Sequence, residues 1–240
     1  GIAWNVQLMA CKFITAQAEG TLSDAITCMN YARTHGAKVI NASWGLPEFN
    51  SQALSDAIES ARNAGIIVVA ACGNSGADNA GAGAVYPASF EHDNIVSVLA
   101  TTRNDELAYF SNFGATRVDI GAPGLDIFSC WAGGASSYEL YFGTSMAAAH
   151  VSGACALALA AFPGESYQQI INRVLSGADP VPALAGRCVT GGRLNLHNVL
   201  TGSQPQPPPP PPPPADEPVV TLSAVDLEAA EAGSDAGVVR

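Results

Sequence analysis

The chain has 240 residues, 48% hydrophobic and only 13% charged, with 21 acidic against 10 basic side chains and a formal net charge of −11. That length allows one sizeable core and a tail, and the negative charge repels phosphate backbones, which argues against nucleic acid as a partner. No uncharged apolar run reaches the ~20 residues that cross a bilayer; the longest, Ala147 to Phe162, contains His150 and reads as a buried core helix, so no membrane span is expected.

The sequence opens on Gly1, and no charged stretch followed by an apolar run marks a leader. It reads as part of a longer chain whose N-terminus lies upstream. Val6 to Phe13 reads as a strand. Ser23 then caps a helix with Leu22, Ile26, Met29 and Ala32 at helical spacing, ended by Gly36. Val39 to Trp44 follows as a buried strand. Asn50 or Ser51 starts a second helix, with Leu54, Ala57, Ile58 and Ala61 on one face and Gly65 beyond its end. Ile66 to Cys72 is continuously apolar, as strands covered on both faces tend to be. Ile95 to Ala100 and Val118 to Ile120 look like further strands, Met146 to Phe162 is a long central helix, and Ser166 caps another running to about Ser176. Strands alternating with helices imply parallel pairing with right-handed crossovers, hence an α/β fold with a mostly parallel sheet flanked by helices.

Composition then breaks. Gln204 to Pro214 is nearly pure proline, which favours an extended polyproline II spacer. Val219 to Val225 alternates like a strand. The expected organisation is a domain over 1–202, a proline-rich linker over 203–218 and the start of a truncated β-rich domain over 219–240. The six cysteines show no CxxC spacing, which argues against structural zinc. Cys11, Cys28, Cys72 and Cys155 lie in apolar elements and read as small buried hydrophobes. Cys130 and Cys188 sit in loop-like surroundings and could pair; cysteine usage leaves the redox compartment open.

Two elements carry chemistry. Gly143-Thr144-Ser145-Met146-Ala147 opens the central helix, placing a serine hydroxyl near unpaired backbone N–H groups and the positive end of the helix dipole. An ordinary helix cap would look the same. Ile66 to Cys72 runs into Gly73-Asn74-Ser75-Gly76, which projects an amide from the C-terminal edge of the sheet, where open parallel sheets place their sites. A polar turn would also use these residues.

Together these segments resemble the subtilisin-like serine proteases. Phe142 to Gly153 is similar to their nucleophile segment, Ala70 to Gly76 to their oxyanion segment and Gly36 to Gly45 to their substrate-binding strand. Tyr86 to Phe90 and Ile120 to Gly124 match further landmarks in the family's order, so the resemblance runs from Gly1 to about Leu200. It implies the three-layer fold of that family, truncated at its N-terminus. It also implies a serine endopeptidase with Ser145 as nucleophile, and Asn74 with the Ser145 N–H as oxyanion donors. Ser43, Trp44 and Gly45 would pair with the substrate backbone. Ser43 to Gly45 with Ala70, Ala71, Cys72 and Gly73 would wall the specificity pocket, with Val85 at its base and Ser75 at its rim.

The family's Asp and His segments are missing from this chain and are expected upstream; unaided, it should have little or no activity. His35, His92, His150 and His197 read as structural or surface residues. Ala149 stands where the family usually has proline, a mild departure in a helix's first turns. The resemblance further implies protein or peptide substrates, no organic cofactor, and a secreted or cell-surface location. It also implies a weak calcium site from the carbonyls of Ala88 and Phe90 with the Asp119 carboxylate, oxygen donors that suit a hard cation; a capping role for Asp119 is the alternative. A catalytically dead peptide-binding relative, or a protease module of an adhesive surface protein, is the other reading, since 219–240 faintly resembles the start of a Calx-beta domain.

Overall fold

A computed structural model describes residues 1–203 except Ala16, Ala18 and Ala135. The proline-rich stretch and the strand expected from Val219 lie outside the described residues. Among the described residues the α-helices are α1 (Leu22–Thr34), α2 (Gln52–Asn63), α3 (Thr144–Ala161), α4 (Tyr167–Ser176) and α5 (Leu196–Thr201). The strands are β1 (Val39–Ala42), β2 (Leu46–Pro47), β3 (Ile67–Ala71), β4 (Val85–Tyr86), β5 (Ile95–Thr101), β6 (Ile120–Pro123), β7 (Ile127–Cys130), β8 (Tyr138–Tyr141), β9 (Asp179–Pro180) and β10 (Gly192–Arg193).

Six strands form one sheet in the order β1-β3-β5-β6-β10-β9, parallel except where β9 joins β10. This is the expected α/β architecture. Both faces of β3 are buried, and its side chains alternate between two cores. Ile67, Val69 and Ala71 join Val96, Val98 and Ile120 under Ala147, Val151 and Ala154 of α3. Val68, Ala70 and Cys72 join Leu99 against Leu54 and Ile58 of α2. Small side chains along α3 let it lie close on the sheet. It is long and apolar enough to cross a membrane, but Ala147, Ala148, Val151, Ala154 and Ala158 are buried in this core.

Five expectations are corrected. Val6 to Phe13 is not a strand: the apolar residues are there, but no neighbouring strand pairs with them, and Leu8 is 91% exposed. An unpaired extended segment cannot satisfy its backbone as a sheet does. Thr21, not Ser23, caps α1, its Oγ1 accepting from Asp24 N at 3.1 Å. The third strand past β3 begins at Ile120, because Val118 N closes a turn onto Gly114 O. Cys130 and Cys188 do not pair: Cys188 is buried, Cys130 is exposed, and all six thiols are free. Cys72 and Cys155 are buried as expected, whereas Cys11 and Cys28 are only half-buried.

Candidate active site

The site lies where β3 ends. Gly73 follows with φ of +116°, a conformation that side chains resist. A Cβ there would also meet Asn112 Nδ2 at 2.5 Å and Val85 Cγ2 at 2.9 Å. This turn delivers Asn74 to the start of α3, across a separation of 70 residues. Asn74 Oδ1 accepts from Thr144 N at 2.8 Å and from Thr144 Oγ1 at 2.9 Å, while Gly73 N donates to the same hydroxyl at 3.2 Å. The amide carbonyl is thus occupied by Thr144, and Nδ2 has no hydrogen-bond partner among the described residues. Gly143, with φ of +145°, brings the chain into α3 just before Thr144.

Ser145 occupies the first turn of α3. Its Oγ donates to Ser43 O at 3.1 Å, and Ser43 Oγ donates back to Ser145 O at 2.8 Å. This reciprocal pair ties the serine to the residue just beyond β1, where the ladder with β3 stops at Ala42 and Ala70. No described histidine bonds the Ser145 hydroxyl. His150 Nδ1 lies 2.9 Å from Met146 O on its own helix, His92 pairs with Ser55 at 2.8 Å, and His35 stacks on Tyr31. His197 is exposed on α5.

The expected pocket residues also come together. Short strands β2 and β4 pair Leu46 with Tyr86 and Pro47 with Val85, which sets Val85 beside Gly45. A Cβ on Gly45 would lie 2.4 Å from Val85 Cγ1. Val85 therefore fills the space between Gly45 and Gly73, while Ala70, Ala71 and Cys72 are buried at the end of β3. Trp44 is half-buried and packs edge-on to Phe13, 5.5 Å between ring centres.

Two residues of this site were not legible in the sequence. Thr144 orients Asn74, as described. Asn112 is fully buried, and its Oδ1 accepts from Ser75 N at 2.9 Å, Ser75 Oγ at 2.9 Å and Ala77 N at 3.1 Å. Its Nδ2 donates to Asn79 Oδ1 at 2.9 Å, and Asn79 Nδ2 donates to Cys72 O at 2.8 Å. These two buried asparagines hold the loop that carries Asn74 to the end of β3.

The residues named for calcium do not fit an ion-binding cradle. The Asp119 carboxylate is turned onto the backbone, accepting from Ser97 N at 2.7 Å. Near the Ala88–Phe90 turn a protein cation is already present: Arg117 Nη1 lies 3.4 Å from Ser89 O and 2.6 Å from Glu91 Oε1. Among the described residues no group of three His, Cys, Asp or Glu side chains could hold a metal. Burial pushes the Asp119 carboxyl up to about 6 from 3.8, the Ser97 N–H opposing this in part. The folded state therefore keeps a proton that the unfolded chain has already released, and stability falls as pH rises from about 4 to 6. Asp119→Asn keeps an acceptor for Ser97 and should flatten this slope. At pH 7 it should stabilise by about 2 kcal/mol, less than the full difference because the side chain reaches some water. Denaturation midpoints across pH 4–7 measure it; an unchanged slope would refute the reading of Asp119.

Comparison with known proteins accords with this geometry. The model of the Subtilase family (Peptidase_S8) matches residues 1–193. Subtilisin DY of Bacillus licheniformis is 39% identical over 178 residues, covering 74% of this chain and 63% of that protein. The thermophilic serine proteinase of Bacillus sp. (strain AK1) is 38% identical over 201 residues, covering 84% of this chain and 47% of its own length. The chain thus spans about half to two thirds of these relatives. Among solved structures, the prenylagaramide maturation protease PagA superimposes with a TM-score of 0.69 at 27% identity, over 78% of this chain and 69% of that one. With its parallel sheet, its glycine-flanked Asn74 and a serine opening the central helix, the chain belongs to the subtilase family.

Proposed function

We propose that this domain, in its full-length protein, hydrolyses peptide bonds in proteins or peptides through an acyl-enzyme on Ser145. The observation that carries this reading is the Thr144–Asn74 lock, which leaves one amide donor free beside the serine. A general base takes the Ser145 proton as Oγ bonds the scissile carbonyl carbon, and the resulting oxyanion accepts from Asn74 Nδ2 and Ser145 N–H. The base returns the proton to the amine as the C–N bond breaks. Water, deprotonated by the same base, then releases the acid and restores the hydroxyl. A histidine outside residues 1–240 supplies that base, held by an aspartate that also lies outside them. Without it the hydroxyl donates to Ser43 O and stays a poor nucleophile. A secreted or cell-surface location belongs to the same proposal.

The test is hydrolysis of casein by the full-length protein, with residues 1–240 in parallel. The full-length protein should cleave and be blocked by a sulfonyl fluoride, while 1–240 should show little or no amidase activity. Efficient cleavage by 1–240, or binding of peptides by the full-length protein with no cleavage, would overturn the proposal.

Specificity follows from Val85. No carboxylate lies among the pocket residues Ser43 to Gly45, Ala70 to Gly73, Ser75 and Val85, so a buried Lys or Arg of the substrate would be uncompensated. Uncharged, medium-sized residues such as Leu, Met or Ala should precede the scissile bond. Val85→Gly opens the space between Gly45 and Gly73 and should shift cleavage of a peptide library toward Phe by about tenfold; dominant cleavage after Arg or Lys would contradict this.

A further inference from the structure

The six cysteines fall into three surroundings. Cys72, Cys155 and Cys188 are buried within the cores, and burial pushes the Cys155 thiol up to about 12. Cys130 is exposed at the end of β7. Cys11 and Cys28 differ from both groups. Each is half-buried, and each lines the same cavity, which the first segment bounds together with α1, β1 and α3. Lys12 and Phe13, which follow Cys11 in the chain, line a second cavity together with Cys28, and the Cys28 thiol is held above its ordinary range first by burial and then by Cys11.

The segment that carries Cys11 is held by side-chain packing, Ile2 against Gly153 of α3 and Phe13 against Trp44, and not by a strand ladder. The described residues of 1–20 form no helix or strand; among them Thr15 N donates to Glu19 O at 2.8 Å. Trp4 and Leu8 are 88% and 91% exposed. Its contact with the candidate site is the packing of Phe13 on Trp44. Cys28 sits in the middle of α1, a capped helix whose Ala25, Met29 and Ala32 are buried. Cys28 is thus fixed within a helix, whereas Cys11 lies in a segment without regular structure.

We propose that Cys11 and Cys28 form a reversible disulfide that staples the first segment to α1, with a low-molecular-weight disulfide as oxidant. One protein thiolate attacks the oxidant's S–S bond, forming a mixed disulfide and releasing one oxidant thiolate. The second protein thiolate then attacks the protein sulfur of that mixed disulfide, forming the Cys11–Cys28 bond and releasing the other. Two protein thiols and one oxidant disulfide become one protein disulfide and two oxidant thiols, which take up the two protons. The closed loop spans residues 11 to 28, so the bond restricts the unfolded chain as well as the first segment. This inference is independent of the proposed hydrolysis.

Reduced protein is incubated with oxidised glutathione, alkylated and digested with trypsin. Cleavage after Lys12 and Arg33 places Cys11 in peptide 1–12 and Cys28 in peptide 13–33. The two peptides should appear joined, lighter by two hydrogens than their sum, at a rate independent of protein concentration. The joined peptide should persist in Cys130→Ser, vanish with dithiothreitol, and accompany a rise in Tm of several degrees. Cys11→Ser should leave glutathione on Cys28 instead. Separate glutathione adducts on Cys11 and Cys28 in the wild type, or a bond from either to Cys130, would overturn the proposal.

Discussion

In the full-length protein, Asn74→Ala should lower kcat by about 10²–10³-fold and leave KM nearly unchanged, the size of loss measured for such a donor in a subtilisin. The direction follows from the bonding here. Asn74 Oδ1 is held by Thr144 N at 2.8 Å and Thr144 Oγ1 at 2.9 Å, so Nδ2 is oriented before any substrate arrives. A donor fixed in advance meets the oxyanion fully only when negative charge develops, and such a contact appears in kcat rather than in ground-state binding. Thr144→Val removes one of the two bonds to Oδ1 while keeping the backbone N–H, and its loss should be smaller. Steady-state kinetics on one peptide substrate separates the terms; a change mainly in KM would remove Asn74 from the oxyanion role.

Asn112→Ala should destabilise the fold by about 3 kcal/mol, the largest stability loss expected of any substitution considered. Ser75 N and Ala77 N donate to Asn112 Oδ1, and Asn79 Oδ1 accepts from its Nδ2. Truncation leaves these groups without partners, each orphaned buried group costing about 1–3 kcal/mol, with partial relaxation toward water reducing the sum. Because Asn79 in turn holds Cys72 O, the loss reaches the end of β3 and the turn that aims Asn74. Urea denaturation of residues 1–240 measures it. A change below about 0.5 kcal/mol would show that the loop is held by other contacts.

What the sequence disclosed, and what it withheld, follows the range of the interactions involved. Helix α2 was legible because Ser51 caps it and Leu54, Ala57, Ile58 and Ala61 recur on one face. Helix α4 was legible from Ser166, which with Gln169 forms a capping box. Strand β3 was legible because burial on both faces leaves an unbroken apolar run. Each of these signals lies within a few residues. Asn112 is 37 residues from Ser75 and Thr144 is 70 from Asn74, and neither polar residue differs locally from a solvated one. The segment Val6 to Phe13 failed for the converse reason: its side chains suit a strand, but a strand also needs a neighbour, which side-chain pattern does not encode. The hairpin β7–β8 was missed because Phe128, Tyr138, Leu140 and Tyr141 are all exposed, so no inside–outside alternation marks it. At the site itself, the glycines around Asn74 and before Ser145 were visible in the sequence, and their positive φ at Gly73 and Gly143 gives the physical reason for them.

The central claim, that Ser145 is an activated nucleophile in the full-length protein, is tested most directly by a fluorophosphonate probe. Folded full-length protein is treated with the probe and digested with trypsin, which places Ser145 in peptide 118–173. The account predicts one adduct per chain, localised by fragmentation to Ser145 and absent when the protein is denatured before labelling. A folded full-length protein that cleaves casein yet carries the adduct on another residue, or carries none, would contradict it.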